Sequence, residues 1–270
     1  MSGDGQLRLA RGHFGQVQAL HQLAQFLPRD EMQGWSYRYS WSWVLGDPGA
    51  VHDDSYAYRV PFGGLERRRV SQGNDGGFTH KGVHRHAFDF AMPIGTPILA
   101  ARSGTVVLVS DGYTKNGISD DYLSKANAIY VLHEDRTVAT YAHLDPGAGV
   151  RVGMKVRVGD LIGFSGNTGF STGPHLHFAV WKPGKDNRAR SLPIRFLADG
   201  HPEGQVPQTG DWIEPGCHED GRACVEGELP AEPQFETRRA IGRADDGACH
   251  CPNGSTITTH LPCRMVCPKN

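Results

Sequence analysis

Apolar and polar positions alternate with a period of two in several stretches of the middle of this chain. The stretches 56–60, 86–92 and 150–158 follow this alternation, 104–109, 128–133 and 137–143 are further predicted strands, and turns containing glycine, proline or aspartate separate them. Successive side chains of a strand point to opposite faces, so the pattern is typical of half-buried β-strands. Helical periodicity is scarce, and no helical crossover is indicated. We predict a mainly β fold with an antiparallel sheet or a partly closed, barrel-like core.

Changes in composition divide the chain into three predicted parts. Residues 1–50 form an N-terminal β-rich extension, in which aromatic residues alternate with serine and arginine over 35–43. This alternation indicates a strand packed on a core or a domain junction, rather than a sugar-binding surface. Residues 51–198 hold the predicted sheet. Residues 199–270 are predicted to be a linker followed by a cysteine-rich tail.

The overall composition limits the classes of partner. The formal net charge is −1, so no basic surplus is present to bind nucleic acid or an anionic membrane surface. No apolar stretch reaches the length of a membrane span. The first residues lack the apolar core of a signal peptide, so we expect either a cytosolic protein or a mature form whose signal was removed. The sequence carries no signal for an oligomeric state.

The cysteines decide between those two locations. All six lie in the last quarter of the chain, at Cys217, Cys224, Cys249, Cys251, Cys263 and Cys267. An even number in a short polar tail predicts disulfides formed in an oxidising compartment. The alternative is a structural zinc site, but such sites more often place two residues between paired cysteines. We therefore predict an exported protein, periplasmic or extracellular.

Histidines flank glycine-rich turns at three places. His175 and His177 lie two residues apart in a strand pattern, so their side chains should point to the same face. His143 ends another predicted strand, and a histidine-rich run precedes Asp89. Several imidazoles with one carboxylate suit a catalytic zinc ion that keeps an open coordination position. His133 is predicted to be a structural residue of a neighbouring strand.

These motifs, in this order, resemble the lysostaphin-type zinc metallopeptidases, which cut peptide cross-links of bacterial cell walls. The matching segments are Asp89-Phe90-Ala91-Met92-Pro93 with Gly95-Thr96-Pro97, Tyr141-Ala142-His143-Leu144, Gly166-Asn167-Thr168-Gly169, and Ser171-Thr172-Gly173-Pro174-His175-Leu176-His177-Phe178. The resemblance covers about residues 56–197. It implies a zinc metalloendopeptidase that acts on peptidoglycan peptides, with Asp89 and His177 as zinc ligands and His143 and His175 as the catalytic pair.

The remaining ligand departs from the family pattern. The family commonly has a histidine four positions before the aspartate, where this chain has Arg85. The candidates are His80, His84 and His86. In a continuous strand leading to Asp89, His84 and His86 would both point away from its carboxylate, whereas His80 lies in the preceding loop. We therefore predict His80, which follows a Phe-Thr pair as in family members with a longer spacing.

Two other functions are compatible with parts of the sequence. A non-catalytic relative could regulate an enzyme or bind the cell wall, but such relatives typically lose ligands, whereas every position can be filled here. The segment 151–160 resembles the hairpin of a biotinyl or lipoyl carrier domain, with Lys155 as the attachment site. A carrier domain would not need the histidines, so we predict the peptidase.

Overall fold

Strands account for nearly all regular structure in this protein. The computed structural model describes residues 44–215 except 65, 185, 187, 199 and 200, and four short strands outside that range. The strands are β1 (Gln6–Leu9), β2 (Ala24–Leu27), β3 (Ala57–Arg59), β4 (Arg68–Gln72), β5 (Phe88–Ala91), β6 (Pro97–Leu99), β7 (Gly104–Ser110), β8 (Asn116–Gly117), β9 (Ala128–Leu132), β10 (Val138–Ala142), β11 (Lys155–Val156), β12 (Leu161–Phe164), β13 (Gly169–Phe170), β14 (His175–Pro183), β15 (Ala189–Ser191), β16 (Arg195–Ala198), β17 (His201–Gln205), β18 (Trp212–Ile213), β19 (Ala248–His250) and β20 (Thr256–Thr258).

Helix is limited, within the described residues, to two 3-10 helices at Gly82–His84 and Asp120–Tyr122. Neither of these described helices is long and apolar enough to cross a membrane. The predicted aromatic strand at 35–43 and the side chains of the tail cysteines lie outside the described residues.

The main sheet has nine strands in the order β11-β7-β9-β10-β14-β5-β4-β18, with β15 beside β14. Its neighbours pair antiparallel. The prediction of a mainly β fold built on an antiparallel sheet is confirmed. As described, this sheet is open, because its order ends at β11 on one side and at β18 on the other.

One face of the central strands forms the core. Phe88 and Phe90 of β5 are fully buried, and their rings contact Phe196 of β16 at centroid distances of 5.0 and 5.5 Å. Tyr141 of β10 is also fully buried, and its hydroxyl accepts a hydrogen bond from the backbone N–H of Ala101 at 2.8 Å. The core face is therefore apolar, and its phenol oxygen has a partner.

Some boundaries differ from those predicted. Strand β5 begins at Phe88, so His86 precedes it, and within 150–158 only Lys155–Val156 is strand. Residues 201–213, which we predicted to be linker, form β17 and β18, and β18 pairs with β4. These short strands contain glycine or proline or are only two residues long, so sequence alternation could not reveal them.

His133 lies in the hairpin that joins β9 and β10, and it is almost fully buried. Its Nδ1 lies 3.0 Å from Thr137 Oγ1. Burial, with the charge of Arg102 adding to it, lowers the pKa of His133 to about 3. His133 is therefore a neutral residue of the fold, as expected for a structural histidine.

We expect the stability of the protein to depend on pH through His133. A histidine in the unfolded chain has a pKa of about 6.5. Between about pH 6.5 and about pH 3, the unfolded chain therefore binds a proton at this residue that the folded chain excludes. The stabilisation from neutral His133 is complete above about pH 6.5 and is lost as the pH falls towards about 3. The His133→Gln variant should lose less unfolding free energy between about pH 7 and about pH 4.5 than the wild type, measured by urea denaturation. Exposed His201→Gln is the control, and equal losses in His133→Gln and wild type would contradict the expectation.

Candidate metal and catalytic site

Three imidazole nitrogens converge on one carboxylate oxygen at the centre of the main sheet. The Oδ1 atom of Asp89 lies 2.8 Å from His177 Nδ1, 3.1 Å from His80 Nε2 and 3.9 Å from His175 Nε2. Asp89 and His177 are directly paired across β5 and β14. Directly opposed residues of an antiparallel pair share a face, so the register itself brings these two side chains together.

Asp89 remains ionised although only 7% of its surface is exposed to solvent. Burial alone would raise its pKa, but the neighbouring side chains of His177 and His80 outweigh burial and hold the pKa of Asp89 well below its usual range. A buried carboxylate is costly unless polar partners surround it. The site therefore holds a fixed negative charge among imidazoles.

His80 is fully buried in the loop between β4 and β5. Its Nδ1 lies 3.0 Å from the carbonyl oxygen of Gly73 and donates to it, since a carbonyl can only accept. In the neutral ring, Nε2 then carries a lone pair. This atom is buried without a hydrogen-bond partner and faces Asp89 Oδ1. A buried lone pair directed at a carboxylate is unfavourable in isolation and is well suited to bind a cation.

His143 and His175 form a pair beside this cluster, with ring centroids 4.5 Å apart. The Nδ1 of His143 donates to the carbonyl of Thr168 at 2.7 Å, and the Nδ1 of His175 donates to the carbonyl of Gly173 at 2.8 Å. Both hydrogen bonds leave Nε2 as the accepting nitrogen of the neutral ring. His175 Nε2 is the atom that lies 3.9 Å from Asp89 Oδ1.

The backbone of His143 has a positive φ of 63°. The chain leaves β10 at this residue and turns against Gly166, whose N–H donates to the His143 carbonyl at 3.0 Å. A Cβ on Gly166 would lie 2.4 Å from the backbone nitrogen of Asp145, so only glycine fits there. A left-handed residue other than glycine is strained, and such residues cluster at functional sites.

Burial lowers the pKa of His143 to about 3, with the neighbouring His175 and His177 adding to the effect. His143 is therefore neutral at physiological pH. Its Nε2 can accept a hydrogen bond or a proton but does not donate in that state.

The three predicted ligands His80, Asp89 and His177 place one donor atom each within 4.8 Å of one another. Their nitrogen and oxygen donors are the types that zinc binds in catalytic sites, and the unpartnered Nε2 of His80 is satisfied when a cation is present. The residues therefore fit the ion, and their role as ligands stays a prediction.

The other candidates for the first ligand lie elsewhere. Exposed His84 packs its ring near Trp181, with centroids 6.3 Å apart. The backbone N–H of His86 donates to Ser191 Oγ. Arg85, at the common family position, pairs with exposed Asp75 at 3.1 Å. Lys155, the carrier-domain candidate, is exposed at the edge strand β11.

Gln72 was missed by the sequence reasoning. Its side-chain amide donates to Asp89 Oδ2 at 2.9 Å and to Thr79 Oγ1 at 2.7 Å. No motif marks this residue, because its contact with Asp89 depends on how β4 pairs with β5.

A cavity opens beside these residues. It is lined by Gly76, Gly77 and Phe78 of the loop that carries His80, by Thr172, Gly173 and Pro174 before β14, and by Asp89, His175 and other residues of the site. Residues from the two loop segments 72–79 and 166–174 thus contribute to this lining. The glycine residues of this lining leave space next to His175.

Known proteins resemble the part of the chain that builds this site. Peptidoglycan DD-endopeptidase ShyA of Vibrio cholerae is 36% identical over 120 residues, which are 44% of this chain and 25% of ShyA. Lysostaphin of Staphylococcus simulans is 37% identical over 117 residues, which are 43% of this chain and 22% of lysostaphin. This chain therefore spans about a quarter of the length of these curated relatives.

Among solved structures, a mutant catalytic domain of the prophage-encoded M23 protein EnpA from Enterococcus faecalis is similar at a TM-score of 0.38 and 27% identity. The similarity covers 49% of this chain and 92% of that domain.

A family model agrees with the resemblance drawn from the motifs. The model described as Peptidase family M23 matches residues 80–189, a range that includes all five predicted site residues. The predicted resemblance is confirmed: this chain contains a domain of peptidase family M23, the family of the lysostaphin-type metallopeptidases.

Proposed function

We propose that this protein is a zinc-dependent metalloendopeptidase that hydrolyses peptide cross-links of bacterial peptidoglycan. The convergence of His80, His175 and His177 on the buried carboxylate of Asp89 is the observation that carries the proposal. Its relatives include a peptidoglycan DD-endopeptidase and lysostaphin, which supports a substrate in the cell wall. A non-catalytic relative would not need to retain both a complete ligand set and the histidine pair.

His80, Asp89 and His177 would hold the zinc ion. When bound there, zinc supplies a Lewis acid that activates water and polarises a carbonyl group. The chain contributes the orientation of the donors. The Gly73 carbonyl selects the tautomer of His80, and the cross-strand register fixes His177 beside Asp89.

His143 and His175 would handle protons and charge at the scissile amide. Because each Nδ1 is held by a backbone carbonyl, each Nε2 presents a lone pair to the site. A neutral imidazole can accept a proton from the attacking water, and once protonated it can donate to the leaving amine or stabilise the oxyanion. The geometry gives the two histidines equivalent chemistry, so we assign the roles to the pair.

The open cavity beside His175 suits a peptide with little side-chain bulk. Glycine and threonine residues line it, at Gly76, Gly77, Thr172 and Gly173. Such a wall leaves room for links made of glycine or D-alanine. A peptidoglycan substrate, together with the predicted disulfides of the tail, supports export to the periplasm or the extracellular space.

The ligand set can be tested by removing one imidazole at a time. His80→Ala should lose zinc, because the buried site would keep only two donors. His86→Ala, a matched change six residues later in the same loop, should retain the ion. Elemental analysis of the purified variants measures the metal content. Full zinc retention in His80→Ala would assign the ligand to another residue.

Substitutions in the catalytic pair should reduce turnover without reducing metal binding. His143→Ala and His175→Ala should each keep zinc and lose about a hundredfold or more in activity, since each would act on the reacting groups rather than hold the ion. Exposed His84→Ala is the control and should retain both. A pair member whose variant turns over at a near-normal rate would have no role in the mechanism.

The reaction itself is tested on purified sacculi. Digestion by the zinc-loaded protein should release fragments with new amine ends on stem or bridge peptides, detected by mass spectrometry. The His143→Ala variant serves as the matched inactive control. Release of sugar reducing ends alone, or no release at all, would refute the proposed function.

A further inference from the structure

The side-chain amide of Gln72 uses its full hydrogen-bonding capacity next to the candidate metal site. Its Nε2 donates to Asp89 Oδ2 at 2.9 Å and to Thr79 Oγ1 at 2.7 Å. Its Oε1 accepts from the backbone N–H groups of Phe78 and Thr79, both at 3.0 Å. An amide has two donors and two acceptor lone pairs, so nothing remains for water. A carboxylate can only accept and an N–H can only donate, so these partners also determine which end of the amide faces Asp89.

A local irregularity of the sheet puts Gln72 in this place. The register between β4 and β5 pairs Val70 with Phe90 and then Gln72 with Asp89, so Ser71 is an extra residue. In a regular ladder Ser71 would stand opposite Asp89. The bulge turns the longer Gln72 to that position, and bulges next to active sites commonly redirect a side chain in this way.

A glycine of the same loop makes room for this arrangement. A Cβ on Gly76 would lie 2.2 Å from Cγ of Gln72. The loop therefore closes over the glutamine side chain only because residue 76 has no side chain. Gly73, the neighbour of Gln72, meanwhile holds His80 through its carbonyl. The adjacent residues Gln72 and Gly73 thus hold the two predicted ligands Asp89 and His80, respectively.

We infer that Gln72 is a positioning residue that sets the metal affinity of the site. By occupying Oδ2 of Asp89, its amide leaves Oδ1 as the oxygen that faces the imidazoles. By holding the backbone of Phe78 and Thr79, it fixes the segment that leads directly into His80. The inference rests on the proposed function, since it concerns the same ion. Gln72 lies outside the segment 80–189 that matches the family model.

The test compares zinc affinity in variants of the full chain, measured by competition with a chelator. Gln72→Met keeps a long unbranched side chain and removes all four hydrogen bonds, so zinc binding should weaken about tenfold or more, as is typical when a group orienting a ligand is lost. Gly76→Ala leaves Gln72 intact and displaces its side chain, so it should weaken binding in the same direction.

Ser71→Ala is the matched control. Ser71 Oγ donates to the backbone carbonyl of Asp89 at 3.1 Å, so this variant removes a contact to the same residue and leaves the carboxylate untouched. Its zinc affinity should stay within about twofold of the wild type, against the about tenfold loss in Gln72→Met. The visible spectrum of the cobalt-substituted protein is a second readout, and it should change in Gln72→Met and not in Ser71→Ala.

The outcomes separate this inference from the proposed function. Zinc loss in His80→Ala with wild-type affinity in both Gln72→Met and Gly76→Ala would overturn the role of Gln72 alone. Full zinc retention in His80→Ala would overturn the ligand set of the proposed function. Thermal unfolding of the metal-free variants identifies any that do not fold, and if Gln72→Met is one of them, Gly76→Ala decides the question.

Discussion

The ionised carboxylate of Asp89, buried at the centre of the main sheet, sets the requirements that its surroundings meet. Burying a charge without partners is strongly unfavourable. Here Gln72 donates to Oδ2, while His177 and His80 approach Oδ1 at 2.8 and 3.1 Å. These partners come from β4, from β14 and from the loop before β5. Elements distant in sequence are therefore brought together around one charged group.

Strand β5 serves the core and the site at the same time. Phe88 and Phe90 point into the apolar core, and Asp89 between them points to the opposite face. A shift of the pairing by one residue would bring Asp89 into the core and a phenylalanine to the site. The burial of the two aromatic rings thus favours the one register in which Asp89 stands opposite His177. Aromatic packing on the core face of β5 therefore stabilises the arrangement of site residues on its opposite face.

The functional unit extends beyond the segment that matches the family model. Gln72 and Gly73 precede residue 80, and both hold predicted ligands. Farther along the chain, Thr209 Oγ1 accepts a hydrogen bond from the N–H of Gly73 at 2.9 Å, and β18 pairs with β4. Residues around 209 therefore support the strand end from which the glutamine and the glycine carbonyl reach the site.

The sequence by itself determined those features that follow from local periodicity and ordered motifs. Alternation predicted the strands and placed His175 and His177 on one face, and the motif order identified the family. The alternation of side chains in a strand also favoured His80 over His86. That argument assumed that His86 lies in the strand of Asp89, but β5 begins at Phe88 and His86 precedes it. The loop brings His80 to Asp89 through contacts with Gly73 that no periodicity encodes.

Tertiary structure decided the rest, because the remaining interactions depend on pairing between distant segments. The place of Gln72 opposite Asp89 results from a bulge in β4, which a sequence pattern of period two does not reveal. The tautomers of His143 and His175 are selected by backbone carbonyls whose positions exist only in the folded chain. Strands β17 and β18 are too short or too irregular to be recognised from the sequence. They form because a partner strand supplies their hydrogen bonds.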